Sequence, residues 1–248
     1  MRRTTIVDLG CVLICLLAAS PAFAQADAEY AKAAQEYAAG DFKRAIEDYE
    51  SIVRSSKPSA NLFYDLGNAY FRVADFGRAI LNYERALALE RNHPEARANL
   101  QIARDQARAL ELTPAPAERA LRFATTNQFT TAAAVAFWLG AFVLARSLFA
   151  RRSGAATGLS ILSLLVFGGA AFAAYQRENG SNGKDLAIII GSEVEARLAT
   201  ADNAHTVLTL PPGSEIKIHS MRGDWIYAAL PNNLRGWLPA KSAERVRP

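Results

Sequence analysis

Cysteine is almost absent. Of 248 residues only Cys11 and Cys15 carry a thiol, and both lie in an apolar run near the N-terminus. If that run is removed on export, none is left for a disulfide, a thiolate metal site or a nucleophile. Histidine is nearly as scarce: His93, His205 and His219 stand far apart, without the spacing that metal ligands need. No serine sits in a nucleophile-elbow context, and no glycine-rich loop follows a strand to cradle a phosphate. These absences leave no catalytic group, cofactor or metal to name, and they point away from an enzyme. Acidic residues are missing altogether from Arg119 to Gln176. What is present is apolar: 51% hydrophobic residues with 21% charged exclude a disordered tail. A mean hydropathy of +0.02 is high for that charge content, so the apolar residues must be gathered into blocks.

The first block belongs to residues 1–24, which have the layout of a secretory signal. Arg2 and Arg3 precede the apolar run 9–19, and Pro21, Ala22 and Ala24 supply the breaker and the small residues read at cleavage. Cleavage is expected before Gln25. Two further blocks, 129–149 and 154–175, are each long enough to cross about 30 Å of hydrocarbon as a helix. The second holds no charge, and small residues (Gly140, Gly168, Gly169, Ala173, Ala174) would let the two backbones approach. Arg146, Arg151 and Arg152 lie at or in the turn 150–153, which the positive-inside rule assigns to the cytoplasm.

Between signal and spans the chain repeats. Gly40-Asp41-Phe42 and Ala74-Asp75-Phe76 align, as do Ala45 with Ala79 and Tyr49 with Tyr83. The offset of 34 is the tetratricopeptide period. Leu66, Gly67 and Tyr70 complete the second copy, with Gly67 and Ala79 small where its two helices cross. The first copy has Ala33 in the glycine's place, and 95–112 reads as a capping helix with Ala96, Leu100, Ile102, Ala103 and Leu110 on apolar positions. Such repeats bind peptides or protein surfaces in a concave groove. Asn61, Tyr64, Asn68, Phe71 and Arg72, with Asn99 and Asp105 of the capping helix, are the groove candidates, each of them otherwise a solvated helix face. Ala34, Ala98 and Ile102 stand where a carboxylate clamp would need polar groups. Pro114 and Pro116 end the helical unit, and 117–123 forms either a short surface helix or plain linker.

Beyond the spans, 177–184 reads as a flexible polar tether. Five or six short strands follow: 187–190, 194–197, 206–210, 215–219, 225–228 and 236–239, separated by Pro-Pro-Gly-Ser, Arg-Gly-Asp and Asn-Asn turns. So many strands in so few residues predict a small β-barrel. Leu-Pro-Pro-Gly-Ser, Gly-Asp-Trp-Ile-Tyr and Arg-Gly-Trp-Leu-Pro resemble the bacterial SH3-like domain. Trp225, Tyr227 and Trp237 are candidates for an aromatic ligand platform, although packing of Trp225 and Trp237 into the barrel core is the favoured expectation.

The fold class is therefore multidomain: an all-α tetratricopeptide repeat, a two-helix transmembrane hairpin and an all-β SH3-like barrel. The expected boundaries are a signal at 1–24, repeats at 25–112, a juxtamembrane linker at 113–128, spans at 129–149 and 154–175, a linker at 176–184 and the barrel at 185–248. This order of modules, with the stretch 230–237 (Leu-Pro-Asn-Asn-Leu-Arg-Gly-Trp), resembles the BatE-like proteins of the bacterial aerotolerance (Bat) operon family. The resemblance implies an inner-membrane scaffold working with von Willebrand factor A-type Bat proteins in envelope integrity or stress tolerance. Both outer domains would be periplasmic. The rival expectation is a cell-wall anchor whose barrel binds peptidoglycan.

A pI near 9.2 invites a nucleic-acid reading, but the charge has another address. Residues 25–118 are net acidic, and the basic surplus sits in Arg119, Arg122, Arg146, Arg151 and Arg152, beside or between the spans. It is a topology signal, and no nucleic-acid partner is expected. A reporter that works only outside the cytoplasm, fused after Pro248, is expected to be active; an inactive fusion with an active cytoplasmic counterpart would reverse the topology.

Overall fold

A computed structural model describes residues 21–55, 58–114, 116–149, 154–179 and 183–247. The expectations for residues 1–20 and for Arg151 and Arg152 lie outside the described residues. The chain divides into two compact units, with the boundary between Ala107 and Arg108.

Among the described residues the first unit is a run of five helices: α1 (Pro21–Ala38), α2 (Phe42–Ser55), α3 (Ala60–Arg72), α4 (Phe76–Leu89) and α5 (Pro94–Ala107). The helix starts recur with the period of the sequence, Phe42 with Phe76 and Ala60 with Pro94. So do the turns. Gly40, Ala74 and Arg108 all take left-handed backbone, with φ of 82°, 61° and 52°. At the first two, the N–H of the next residue reaches back to the helix it has left, Asp41 to the Glu36 carbonyl and Asp75 to that of Tyr70. Asp41 and Asp75 then cap the following helix by accepting from the N–H of Arg44 at 3.3 Å and of Arg78 at 3.1 Å. Alanine marks the helix crossings: Ala33, Ala45, Ala79, Ala86, Ala96 and Ala103 are all fully buried. Gly67 is needed for a different reason. A Cβ there would lie 2.7 Å from Cε1 of Tyr83, a ring buried to 1% exposure.

At the third copy of the turn the pattern breaks. Ala109 stands where Asp41 and Asp75 cap a helix, and no helix starts. The capping helix ends at Ala107 rather than at residue 112, and the chain leaves Arg108 as an extended strap that belongs to the second unit.

The second unit continues through a short helix α6 (Pro116–Ala120) and a 3₁₀ turn (Leu121–Phe123) into the helical hairpin α7 (Thr126–Phe149) and α8 (Gly154–Asn179). Residues Thr126–Ser147 and Gly154–Asn179 are long and apolar enough to cross a membrane. Leu164 and Leu165 stay 68% and 67% exposed, so protein does not cover this surface as it would in a buried helix pair. The two helices touch closely at Gly140, where a Cβ would lie 3.0 Å from Oγ of Ser163, and the Ser163 hydroxyl donates to the Ala136 carbonyl. Gly168 and Gly169, expected at the crossing, face open space. Ala173 and Ala174 are buried instead against Phe129, with Leu121 and Ala124 packed beside them. The expected tether from residue 177 is partly helical, since α8 runs on to Asn179.

Among the described residues seven antiparallel strands follow: β1 (Leu186–Ile189), β2 (Val194–Arg197), β3 (Thr206–Leu210), β4 (Glu215–Arg222), β5 (Trp225–Ala229), β6 (Arg235–Pro239) and β7 (Ala243–Arg245). Their order is β3-β2-β6-β5-β4-β1-β7. The expected closure of a barrel is not made, because β3 pairs only with β2 and β7 only with β1. The turns form where expected. Gly213 (φ 80°) turns the Pro-Pro-Gly-Ser stretch, and Asn232 and Asn233 (φ 63° and 61°) lie in the connection between β5 and β6. Ile189, Leu210, Ile216, Ile226 and Leu238 fill one face of the sheet, and Leu110 of the strap packs against them.

The strap is bonded as well as packed. The Glu215 N–H donates to the Leu110 carbonyl at 2.8 Å, and the Leu110 N–H to Oγ of Ser214 at 3.1 Å. The Leu112 N–H donates to Oε2 of Glu215 at 3.0 Å. Ser214 and Glu215, at 0% and 5% exposure, thus find partners in residues that precede the hairpin.

Gly67→Ala is expected to destabilise the helical unit. Alanine gains about 1 kcal/mol in helix propensity, but overpacking a ring that cannot swing aside costs about 1–3 kcal/mol. Thermal unfolding of the full chain followed at the helical signal checks this; an unchanged or raised midpoint would show that Tyr83 has room.

Candidate functional site

The first unit holds a cavity of about 220 Å³ lined by Tyr37, Asn68, Phe71, Arg72, Tyr83, Asn99 and Ile102. Four of the seven groove candidates, Asn68, Phe71, Arg72 and Asn99, meet there. Tyr64 lies beside it, its ring tilted against His93 at 4.9 Å between centres and its hydroxyl oxygen accepting from Nδ2 of Asn99 at 3.4 Å. Asn61 and Asp105 do not join: both are exposed, and Asp105 accepts instead from Gln101 at 3.2 Å.

A fixed polar network forms the floor of the cavity. Oδ1 of Asn68 accepts from the Tyr83 hydroxyl and from Nδ2 of Asn99, both at 2.8 Å. Burial, the largest influence, pushes the Tyr83 hydroxyl far above the usual tyrosine range, so it stays a donor. With Oδ1 of Asn68 engaged twice, the Asn68 amide N–H₂ and Oδ1 of Asn99 take no part in these two bonds. Arg72 is exposed, and its guanidinium lies 4.7 Å from the centre of the Phe42 ring. The cavity therefore offers amide donors, an acceptor and a cation between two aromatic walls.

Tyr37, Tyr83 and Ile102 were not among the sequence candidates, although the repeat could have supplied two of them. Tyr37 stands one period before Phe71, and Ile102 one period after Asn68. Ile102, expected on the apolar side of the capping helix, is 50% exposed toward the cavity.

In the second unit the aromatic candidates lie apart from the core. Ile226, Ala228 and Leu238 point inward, which turns Trp225, Tyr227 and Trp237 to the other face, half-buried. The favoured expectation, that Trp225 and Trp237 fill the core, is thereby corrected: strand alternation and the burial of their neighbours decide it. Tyr227 and Trp237 are paired across β5 and β6 with ring centres 5.1 Å apart, and His219 lies 6.4 Å from Tyr227. Arg146, in the last turn of α7, is exposed. Among the described residues, no three His, Cys, Asp or Glu side chains converge as metal ligands.

No family model matches the chain, and no curated protein matches it.

Proposed function

We propose that this protein is a non-catalytic membrane scaffold of the Bat type, whose tetratricopeptide-like helical unit receives an extended segment of a partner protein. The observation that carries the reading is the Asn68–Asn99–Tyr83 network on the cavity floor. It leaves the Asn68 N–H₂ and Oδ1 of Asn99 outside those two bonds, a donor and an acceptor of the kind a passing peptide group pairs with, in a cavity also lined by Tyr37 and Phe71. Arg72 at the rim favours an acidic residue in that segment.

The partners are von Willebrand factor A-type membrane proteins of the same assembly, and both outer domains of the scaffold are periplasmic. Two features support this arrangement. The arginines of the span turn favour the cytoplasm, and the strap before α7 bonds to the sheet that follows α8, as a two-span hairpin with both flanks on one side requires.

A photocrosslinking residue at Ile102 of the full chain, expressed in its own cells, is expected to capture a von Willebrand factor A-type membrane protein. Arg72→Glu combined with Asn99→Leu is expected to lower the yield about tenfold, equivalent to about 1.4 kcal/mol. Equal capture from Glu47, exposed on α2 and outside the cavity, would contradict a groove-specific partner.

A further inference from the structure

The outer face of the C-terminal sheet has a composition and a position that the scaffold reading does not use. Lys217 of β4 lies opposite Ala229, and Ala229 alternates onto the same face as Trp225 and Tyr227. Its ammonium donates to the carbonyl of Asn179, the last residue of α8. The Lys184 N–H, just before β1, likewise returns to the Glu178 carbonyl at 3.0 Å. The sheet therefore sits directly at the end of the hairpin.

The depth of that contact follows from helix geometry. The apolar run of α8 ends at Tyr175, and Asn179 lies four residues further on, roughly 6 Å at 1.5 Å per residue. That distance is the depth of a headgroup layer, since about 30 Å of hydrocarbon becomes about 40–45 Å with both polar layers included. Lys217 thus touches the helix where phosphates would lie. Cation and aromatics continue along the same face. Tyr227 and Trp237 form their cross-strand pair there, and Arg235 lies opposite Ala229. Burial first, then the charges of Arg235 and Lys217, lower the pKa of His219. Tryptophan, tyrosine and basic residues together are the side chains that settle at a membrane interface, with apolar bodies in the glycerol region and polar tips in water.

We propose that this face, built on Trp225, Tyr227, Trp237, Lys217 and Arg235, lies on the lipid headgroups at the exit of the hairpin and prefers anionic lipid. The inference rests on the reading of α7 and α8 as membrane spans. Positive charge on the face complements the phosphates, and the bond from Lys217 to the helix end brings the two within reach.

The three tryptophans allow a test in which the two readings fail separately. Full-length chains are reconstituted in phosphatidylcholine vesicles with or without one quarter phosphatidylglycerol. One variant keeps only Trp138 (Trp225→Phe, Trp237→Phe) and another only Trp237 (Trp138→Phe, Trp225→Phe). Trp138, in α7 and 70% exposed, should be quenched by deeply brominated acyl chains in both vesicles. Trp237 should be quenched by lipid brominated next to the glycerol, more strongly in the anionic vesicles. Lys217→Glu and Arg235→Glu should each lower that anionic preference about fivefold. Quenching of Trp138 without any quenching of Trp237 overturns the proposal and leaves the spans standing; quenching of neither overturns both. If Trp237 ignores bromolipid but its emission shifts on added peptidoglycan sacculi, the face belongs to a glycan and the lipid assignment is wrong.

Discussion

The structure of the second unit depends on one short contact: the backbone of Leu110 and Leu112 against Ser214 and Glu215. Both receiving residues are buried and polar, and an unpartnered group of that kind costs about 1–3 kcal/mol. The strap supplies their partners and adds the Leu110 side chain to the core of the sheet. Because the strap precedes α7 and the sheet follows α8, the hairpin is an insertion within one folded unit. It is not a spacer between independent domains. The segments before and after the hairpin are thereby held against each other.

The strap exists because the helical repeat fails at a defined place. Phe42 and Phe76 open the second helix of their copies, each preceded by a capping aspartate. Leu110 occupies the same position one period later, with Arg108 left-handed as Gly40 and Ala74 are. Ala109 cannot accept from the N–H groups of a new helix, so those groups stay open to other partners. The sheet takes two of them. A single missing cap thus ends the run of helices and ties the apolar hairpin to the sheet.

Much of this was legible in the sequence, for physical reasons that differ by element. The helix starts, the Gly67 crossing and the hairpin follow from short-range periodicity, which any window of the chain displays. Four of the groove candidates line one cavity because Asn68, Phe71 and Arg72 share one face of α3 and Asn99 of α5 lies against it. The strap was not legible. Leu110 fits the apolar spacing of α5, and its partners lie more than a hundred residues away, across the hairpin. β7 was missed because three residues, Ala243–Arg245, carry no alternation to read. The side on which Trp225 and Trp237 lie was misjudged because either face of a strand can hold an aromatic. Only the burial of Ile226, Ala228 and Leu238 settles it.

The central claim, that the strap is part of the sheet unit, is tested most directly by amide hydrogen exchange on the full chain. The amides of Leu110, Leu112 and Glu215 are predicted to exchange slowly and together with that of Ile189, which donates to the Ser214 carbonyl at 2.9 Å. Leu110→Asp should accelerate the first three as a set while leaving the amides of α4 protected. Exchange of Leu110 and Leu112 at the rate of open chain, with Ile189 still protected, would contradict the account.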